Sequence, residues 1–278
     1  MIDGIEGKVA PNRVLALVGK LFRHGLSRDW IRVSPAEAIA KPNAEKPRDR
    51  FLDLKEVGQV YRAAELLGYP YGGFIKILLL TGQRRTEVAS MRWNDIDLEA
   101  ATWVIRSADT KAGGAQVVPL SLAVVDVLKA APKIGAFVWT TDGSSRVQNY
   151  TKTKNKLDTF LEAHGGLPEP WRLHDLRRTV ATHMVRLGVT ETIVGRVLNH
   201  APQGVAARVY ALYSYAPKKQ SAFDRWANEL KREVSGTIST KSTPTIGLAS
   251  RTGAESGAIL ISGSARMATL SGPSAKDI

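Results

Sequence analysis

The 278-residue sequence contains no cysteine. This absence excludes disulfides, thiol nucleophiles and thiolate metal sites, and it is consistent with a reducing compartment. The sequence also lacks any uninterrupted apolar run near the length of about 18 residues that suggests a membrane span. Residues 1–10 lack the apolar core of a signal peptide. We therefore expect a cytoplasmic, nucleoid-associated protein without a membrane partner.

Acidic residues are comparatively few, because 26 Asp and Glu stand against 39 Lys and Arg, which gives a formal charge of +13. Such an excess favours polyanionic partners, above all nucleic acid, with an anionic membrane surface as the less specific alternative. Residues 145–220 hold twelve basic and five acidic residues, a net charge of +7. The hydrophobic fraction of 44% is ample for a packed core.

Hydrophobic periodicity predicts a mainly helical chain. Helices are expected at 12–30, 53–67, 71–80, 122–131, 152–164 and 217–234. The second opens on a capping box, in which Asp53 is followed three residues later by Glu56, and it stops at Gly68. The third is almost entirely apolar, so we expect a buried central helix that ends at Thr81-Gly82.

Two β-rich segments, 102–106 and 116–120, flank a glycine-rich stretch and predict a hairpin with Lys111 near its tip. A further short strand is expected at 136–139. The fold class is therefore mainly α with a small antiparallel β-sheet (α+β).

Composition divides the chain into three parts. Residues 1–50 contain one predicted helix and a proline-rich, charged linker, KPNAEKPRDR. Residues 51–234 carry the remaining predicted elements. Residues 235–278 are rich in Ser, Thr, Gly and Ala, so we expect a largely disordered tail in which 258–262 is the one weak strand candidate.

The segment 171–215 concentrates reactive side chains. His174 and Arg177 are three apart on a predicted helix, so they share one face. The next helix is expected to end at His200, and Tyr210 follows ten residues later, on another short predicted helix. This spacing is typical of a catalytic layout.

Each residue also has a less specific interpretation. A histidine on a helix is more often a structural or surface group than a catalytic one, and Arg177 with Arg178 also fits a phosphate-contact patch. Arg84 and Glu87, taken alone with their neighbours, also suit a charged surface turn. Only the combination favours a catalytic site.

Taken together, TGQRRTEV, DTKAGGAQVVPLS, HDLRRT, VLNH and the later Tyr210 resemble the tyrosine recombinases, the phage-integrase family, especially prophage and genomic-island integrases. The resemblance covers residues 12–234 and implies a tyrosine-recombinase catalytic domain at 51–234. It also implies these catalytic residues: Arg84, Lys111, His174, Arg177, His200 and the nucleophile Tyr210. Glu87 matches a carboxylate that supports the catalytic groups, and Tyr213 is the rival nucleophile.

The residue types suit strand cleavage at phosphorus. Arg84 and Arg177 can hold the non-bridging oxygens with forked, charge-assisted hydrogen bonds. Tyrosine, with a reference pKa of about 10, needs cationic neighbours and a proton acceptor such as His174. Lys111 can protonate the leaving 5′ oxygen, and His200 can donate a hydrogen bond to the phosphate. A 3′-phosphotyrosyl link would result, and neither metal nor cofactor is expected.

The resemblance also implies partners: double-stranded DNA at attachment sites, a tetramer on that DNA, and accessory DNA-bending or excisionase proteins. The sequence departs from the family at Asn199, often glycine, and at Gln116, often basic. The larger departure is in residues 1–50, which look like a remnant of an N-terminal core-binding domain. Two alternatives stay open: a truncated, recombination-deficient DNA-binding remnant, and a type IB topoisomerase-like enzyme.

Overall fold

The protein was analysed as a computed structural model that describes residues 4–7, 9–44, 48–110, 114–200 and 215–236. Its helices are α1 (Ala10–Leu26), α2 (Leu54–Leu67), α3 (Tyr71–Thr81), α4 (Arg85–Ala89), α5 (Leu122–Lys129), α6 (Tyr150–Glu162), α7 (Leu173–Arg186), α8 (Glu191–Val197) and α9 (Ala216–Gly236). Its strands are β1 (Ile96–Asp97), β2 (Thr102–Ile105) and β3 (Gln116–Pro119), in one antiparallel sheet. The expected fold class is confirmed.

Helix α2 begins and ends where local sequence signals place it. The Asp53 carboxylate accepts the Glu56 backbone N–H at 2.8 Å, and the Glu56 carboxylate accepts the Asp53 N–H at 2.8 Å. This reciprocal pair satisfies two N–H groups that the helix itself leaves free. Gly68 then ends the helix with a φ of 66°.

Helix α3 lies at the centre of the core and contacts α2, α5, α7 and α9. Its apolar side chains are buried, as its composition predicted. It ends at Gly82, which has left-handed backbone angles of 62° and 13°. A Cβ at this position would lie 3.0 Å from Val180 Cγ1, so both the turn and the approach of α7 favour glycine.

The β2–β3 hairpin forms as predicted, with Thr102 opposite Pro119 and Ile105 opposite Gln116. Strand β1 was not predicted, because two residues are too few for a periodic signal. The predicted strand at 136–139 was wrong. Phe137 makes only an isolated bridge to Arg92, so this segment pairs with a loop and extends no ladder.

Helix α8 ends at Val197, so the prediction that it ends at His200 was wrong. Asn199 adopts a left-handed φ of 51°, and the His200 backbone N–H bonds back to the Gly195 carbonyl at 2.9 Å. Such a turn closes a helix and releases the chain in a new direction. Asn199 thus takes the backbone conformation that glycine favours.

Helix α9 buries Phe223, Trp226 and Leu230, and the Trp226 indole N–H donates to the Leu79 carbonyl at 2.8 Å. It extends to Gly236, two residues into the segment assigned to the tail. Residues 237–278, including the strand candidate at 258–262, lie outside the described residues. Within the described ranges, every helix is too short or too polar to cross a membrane.

Candidate active site

Arg84 stands at the start of α4, where the chain leaves the buried Gly82 turn in an extended conformation. The Glu87 carboxylate accepts the Arg84 backbone N–H at 2.8 Å and its Nη1 at 2.8 Å. The Glu87 side chain is fully buried, whereas that of Arg84 is 24% exposed. The pair is therefore not a charged surface turn, because a buried carboxylate anchors a guanidinium that still reaches solvent.

Arg177 projects from α7 and is almost completely buried, at 7% exposure. Its Nη1 donates to the Gly82 carbonyl at 2.9 Å, and its Nη2 donates to the Leu198 carbonyl. Burial, and then the positive charge of Arg84, lower the pKa of Arg177 to about 10, while Glu87 opposes them. At neutral pH Arg177 is therefore still a cation, held in a site from which most water is excluded.

His174 and His200 come from different elements but feel the same charges. Partial burial is the main cause that lowers the pKa of each imidazole, and Arg177 and Arg84 lower both further. Because charge effects fall with distance, and because Arg177 bonds to the Gly82 and Leu198 carbonyls, the four side chains lie in one neighbourhood. Both histidines are exposed and, with lowered pKa values, neutral at pH 7, so each ring can donate one hydrogen bond and accept another.

Lys111, Tyr210 and the rival Tyr213 lie outside the described residues, so their predicted roles stay predictions. On either side of the undescribed residues 111–113, the Thr110 hydroxyl donates to the Gly114 carbonyl at 2.9 Å. Tyr215 lies against the core and faces the Arg196 guanidinium at 5.0 Å.

The sequence did not reveal that two glutamines join the site segments. The Nε2 groups of Gln83 and Gln116 both donate to the Val197 carbonyl, at 2.9 and 3.1 Å. Gln116 is 8% exposed, so its amide serves contacts inside the fold. These bonds hold the Arg84 turn and the base of the hairpin against the end of α8.

Basic side chains of α6 lie over aromatic rings. Lys154 Nζ lies 4.0 Å from the ring centre of Trp171, and Lys156 Nζ lies 5.0 Å from that of Tyr71. Trp171 is buried. Cation–π contacts hold these long amines in place, and the Lys154 amine is also paired with the Asp158 carboxylate.

Solved structures share this fold. A lambda integrase (75–356) dimer bound to a COC′ core site is similar with a TM-score of 0.57 and 18% identity, over 69% of this chain and 72% of that one. The Tn1549 transposon integrase (82–397, R225K) is similar with a TM-score of 0.58 and 16% identity, over 83% and 81%. The architecture is that of a tyrosine recombinase catalytic domain.

Sequence comparison identifies the family. The Phage integrase family model matches residues 50–216, and the chain belongs to that family. Prophage integrase IntF of Escherichia coli K12 is 28% identical over 61% of this chain and 36% of its own length. Tyrosine recombinase XerC 2 of Ralstonia nicotianae is 29% identical, over 67% and 56%. The chain therefore spans only about a third to a half of these curated relatives.

Proposed function

We propose that this chain is a metal-independent, site-specific DNA recombinase that cleaves and rejoins strands through a 3′-phosphotyrosyl intermediate. The observation that carries the proposal is the convergence of Arg84, Arg177, His174 and His200. A phosphate diester is an anion whose non-bridging oxygens gain charge during attack. Two preorganised guanidiniums beside two imidazoles fit that requirement.

The two arginines have complementary roles. Arg84 is partly exposed and anchored by Glu87, so its free N–H groups can reach a phosphate oxygen. Arg177 is buried and already oriented by two backbone carbonyls, so binding it to phosphate costs little reorganisation. Together they stabilise charge where it develops.

The remaining steps use Tyr210 and Lys111. The Tyr210 oxygen attacks phosphorus and loses its proton to a neutral imidazole, for which His174 is our candidate. The bond from phosphorus to the 5′ oxygen breaks, and the Lys111 ammonium supplies a proton to that oxygen. His200 donates a hydrogen bond to the phosphate. Rejoining reverses these steps with a different 5′-hydroxyl.

DNA and a second copy of the chain are the proposed partners. Lambda integrase structures include a dimer on a core site and a tetramer on a Holliday junction. The Tn1549 integrase was solved in complex with circular intermediate DNA. The net charge of +7 in residues 145–220 supports DNA binding here.

Trapping on nicked suicide substrates tests the proposal. The full chain is incubated with DNA from its own element junction, and covalent adducts are resolved on denaturing gels. We expect an adduct with the wild type and with Tyr213→Phe, and none with Tyr210→Phe, whose DNA binding is retained. No wild-type adduct would contradict the enzyme proposal, and an adduct lost only in Tyr213→Phe would move the nucleophile.

A further inference from the structure

An extended segment, residues 48–52, lies along α7 and is bound by three of its residues. Asp175, Thr179 and His183 are four apart, so they form a row on one face of the helix. Thr179 Oγ1 accepts the Leu52 N–H at 2.9 Å, and His183 Nε2 contacts the Leu52 carbonyl at 2.9 Å. The chain entering the core is therefore fastened to the helix that carries two candidate catalytic residues.

Arg48, at the start of the segment, makes several contacts with α7 and with the loop before it. Its Nε lies 3.1 Å from Asp175 Oδ2, and its Nη2 lies 3.1 Å from the same oxygen. Its Nη2 also donates to the Pro170 carbonyl at 2.5 Å, and Arg178 donates to the Arg48 carbonyl. Arg48 is thus held by the loop before α7 and by Asp175 and Arg178 of α7 itself.

Asp175 is the centre of this arrangement. Its side chain is 2% exposed, while that of Arg48 is 34% exposed. It also accepts the Arg172 backbone N–H at 2.9 Å, which closes the N-terminus of α7. Removal of Arg48 would leave a buried carboxylate short of a charged partner, a change that local structure must relieve by moving.

The row lies on the side of α7 opposite the site. At about 100° per residue, Asp175, Thr179 and His183 fall within an arc of about 80°. His174 and Arg177 lie roughly 140° and 160° away from the centre of that arc by the same rotation. A displacement of the face that carries this row therefore also moves His174 and Arg177, because a helical turn is stiff.

We infer that the Arg48–Asp175 pair is a positioning contact for strand cleavage. It fixes the first turn of α7, and thereby the distance from His174 and Arg177 to Arg84. Neither Arg48 nor Asp175 needs to touch DNA for this role. The inference rests on the proposed recombinase function, since it assigns a role within that reaction.

The test is single-turnover cleavage of a nicked suicide substrate by Arg48→Ala and Asp175→Asn. The rate constant should fall on the order of 10-fold to 100-fold, because small misplacements of catalytic groups have effects of that size. DNA affinity and the final amount of adduct per folded molecule should stay near wild type. Loss of folded protein alone would instead lower the amount of adduct and leave the rate constant unchanged.

Three further variants sharpen the test. Arg48→Lys keeps the charge without the fork and should recover part of the rate. The double variant Arg48→Ala, Asp175→Asn should be no slower than the slower single variant, because the two act as one contact. Arg50→Ala is the matched control. Arg50 lies in the same segment, but its partners are Glu56 of α2 and the exposed Glu169 of the loop before α7, so its loss should cost stability but not rate.

Rate constants within twofold of wild type in both Arg48→Ala and Asp175→Asn would overturn the inference while leaving the recombinase proposal intact. Absence of a wild-type adduct would overturn the recombinase proposal instead. Hydrogen exchange then tests whether Arg48 holds the start of α7. Amides 176–178 should lose protection in Arg48→Ala and keep it in Arg50→Ala. Equal protection in the two variants would overturn the inference.

Discussion

The Arg177 guanidinium donates a hydrogen bond to the Gly82 carbonyl across 2.9 Å. Gly82 begins the turn that releases Arg84, so the position of one arginine depends on the other. The second bond of Arg177 goes to the carbonyl of Leu198, two residues before His200. One buried side chain therefore joins the three segments that carry Arg84, Arg177 and His200.

The first prediction separates the two arginines. Arg84→Lys and Arg177→Lys should each slow single-turnover cleavage on the order of 10²-fold, as loss of an oxyanion donor does. Only Arg177→Lys should also lower the free energy of unfolding, by about 1–3 kcal/mol, because a lysine cannot satisfy both carbonyls in the same fork. Quenched-flow cleavage and urea unfolding measure the two effects.

Arg85→Lys is the matched control, since Arg85 is exposed and lies 4.4 Å from the ring centre of Tyr150. It should leave both quantities near wild type. Equal losses of stability in Arg84→Lys and Arg177→Lys would contradict the structural role given to Arg177.

The second prediction concerns Glu87. Glu87→Gln keeps the size of the side chain but replaces one of the two oxygens that Arg84 contacts with an amide donor. The Arg84 guanidinium then loses its anchor, and cleavage should slow on the order of tenfold with DNA affinity unchanged. Glu65→Gln, which removes the surface partner of Lys76, is the control. A Glu87→Gln enzyme at the wild-type rate would show that Arg84 needs no anchor.

Local signals predicted much of the fold. The Asp53 capping box, the apolar run of α3 and the glycine-rich hairpin each lie within a few residues, so the sequence alone reveals them. Long-range contacts gave no such signal. The bonds from Gln83 and Gln116 to Val197 join residues 114 and 81 positions apart. The motif pattern predicted the candidate site residues, but only the fold shows how Arg177 holds their segments together.

The third prediction is a pH dependence of stability that His183 contributes. Burial lowers the pKa of His183, as does the charge of Arg186, although the bond to Leu52 and nearby Asp53 and Glu229 oppose this. Below its unfolded pKa of about 6.5, the unfolded chain therefore binds more protons than the folded one.

Stability should consequently fall as pH is lowered through about 6.5, by at most about 1.4 kcal/mol per pH unit for each proton taken up. His183→Gln should be less stable at pH 7.5, because the stacking on Trp226 at 5.3 Å is lost. Its free energy of unfolding should also depend less steeply on pH between pH 7.5 and 5. Urea unfolding at several pH values measures this, and equal slopes in the two proteins would refute it.

The fourth prediction concerns DNA affinity. Phosphate contacts supply affinity without reading sequence, and they weaken as salt displaces them. With a net charge of +7 in residues 145–220, binding should be strongly salt-dependent. Fluorescence anisotropy between low and moderate salt checks this. An affinity that hardly changes with salt would count against it.

The last prediction distinguishes proton donation from charge stabilisation. Lys111 is proposed to protonate the leaving 5′ oxygen, so its requirement should vanish when that atom is a sulfur, whose thiolate leaves without a proton. Arg177 is proposed to stabilise charge on the non-bridging oxygens, which the substitution does not alter. Lys111→Ala and Arg177→Lys are therefore compared on ordinary DNA and on DNA with a 5′-bridging phosphorothioate.

The sulfur substrate should restore cleavage by Lys111→Ala to near the wild-type rate and leave Arg177→Lys slow. The wild type on both substrates calibrates the intrinsic effect of sulfur, and Lys133→Ala, which removes a lysine whose amine lies 5.0 Å from the ring centre of Trp93, is the control for loss of a positive charge. Equal rescue of Lys111→Ala and Arg177→Lys would mean that sulfur merely makes cleavage easier. Rescue of neither variant would remove Lys111 from the general-acid role. A thiolate leaves without a proton, so a lysine that acted only as the acid would be dispensable on the sulfur substrate.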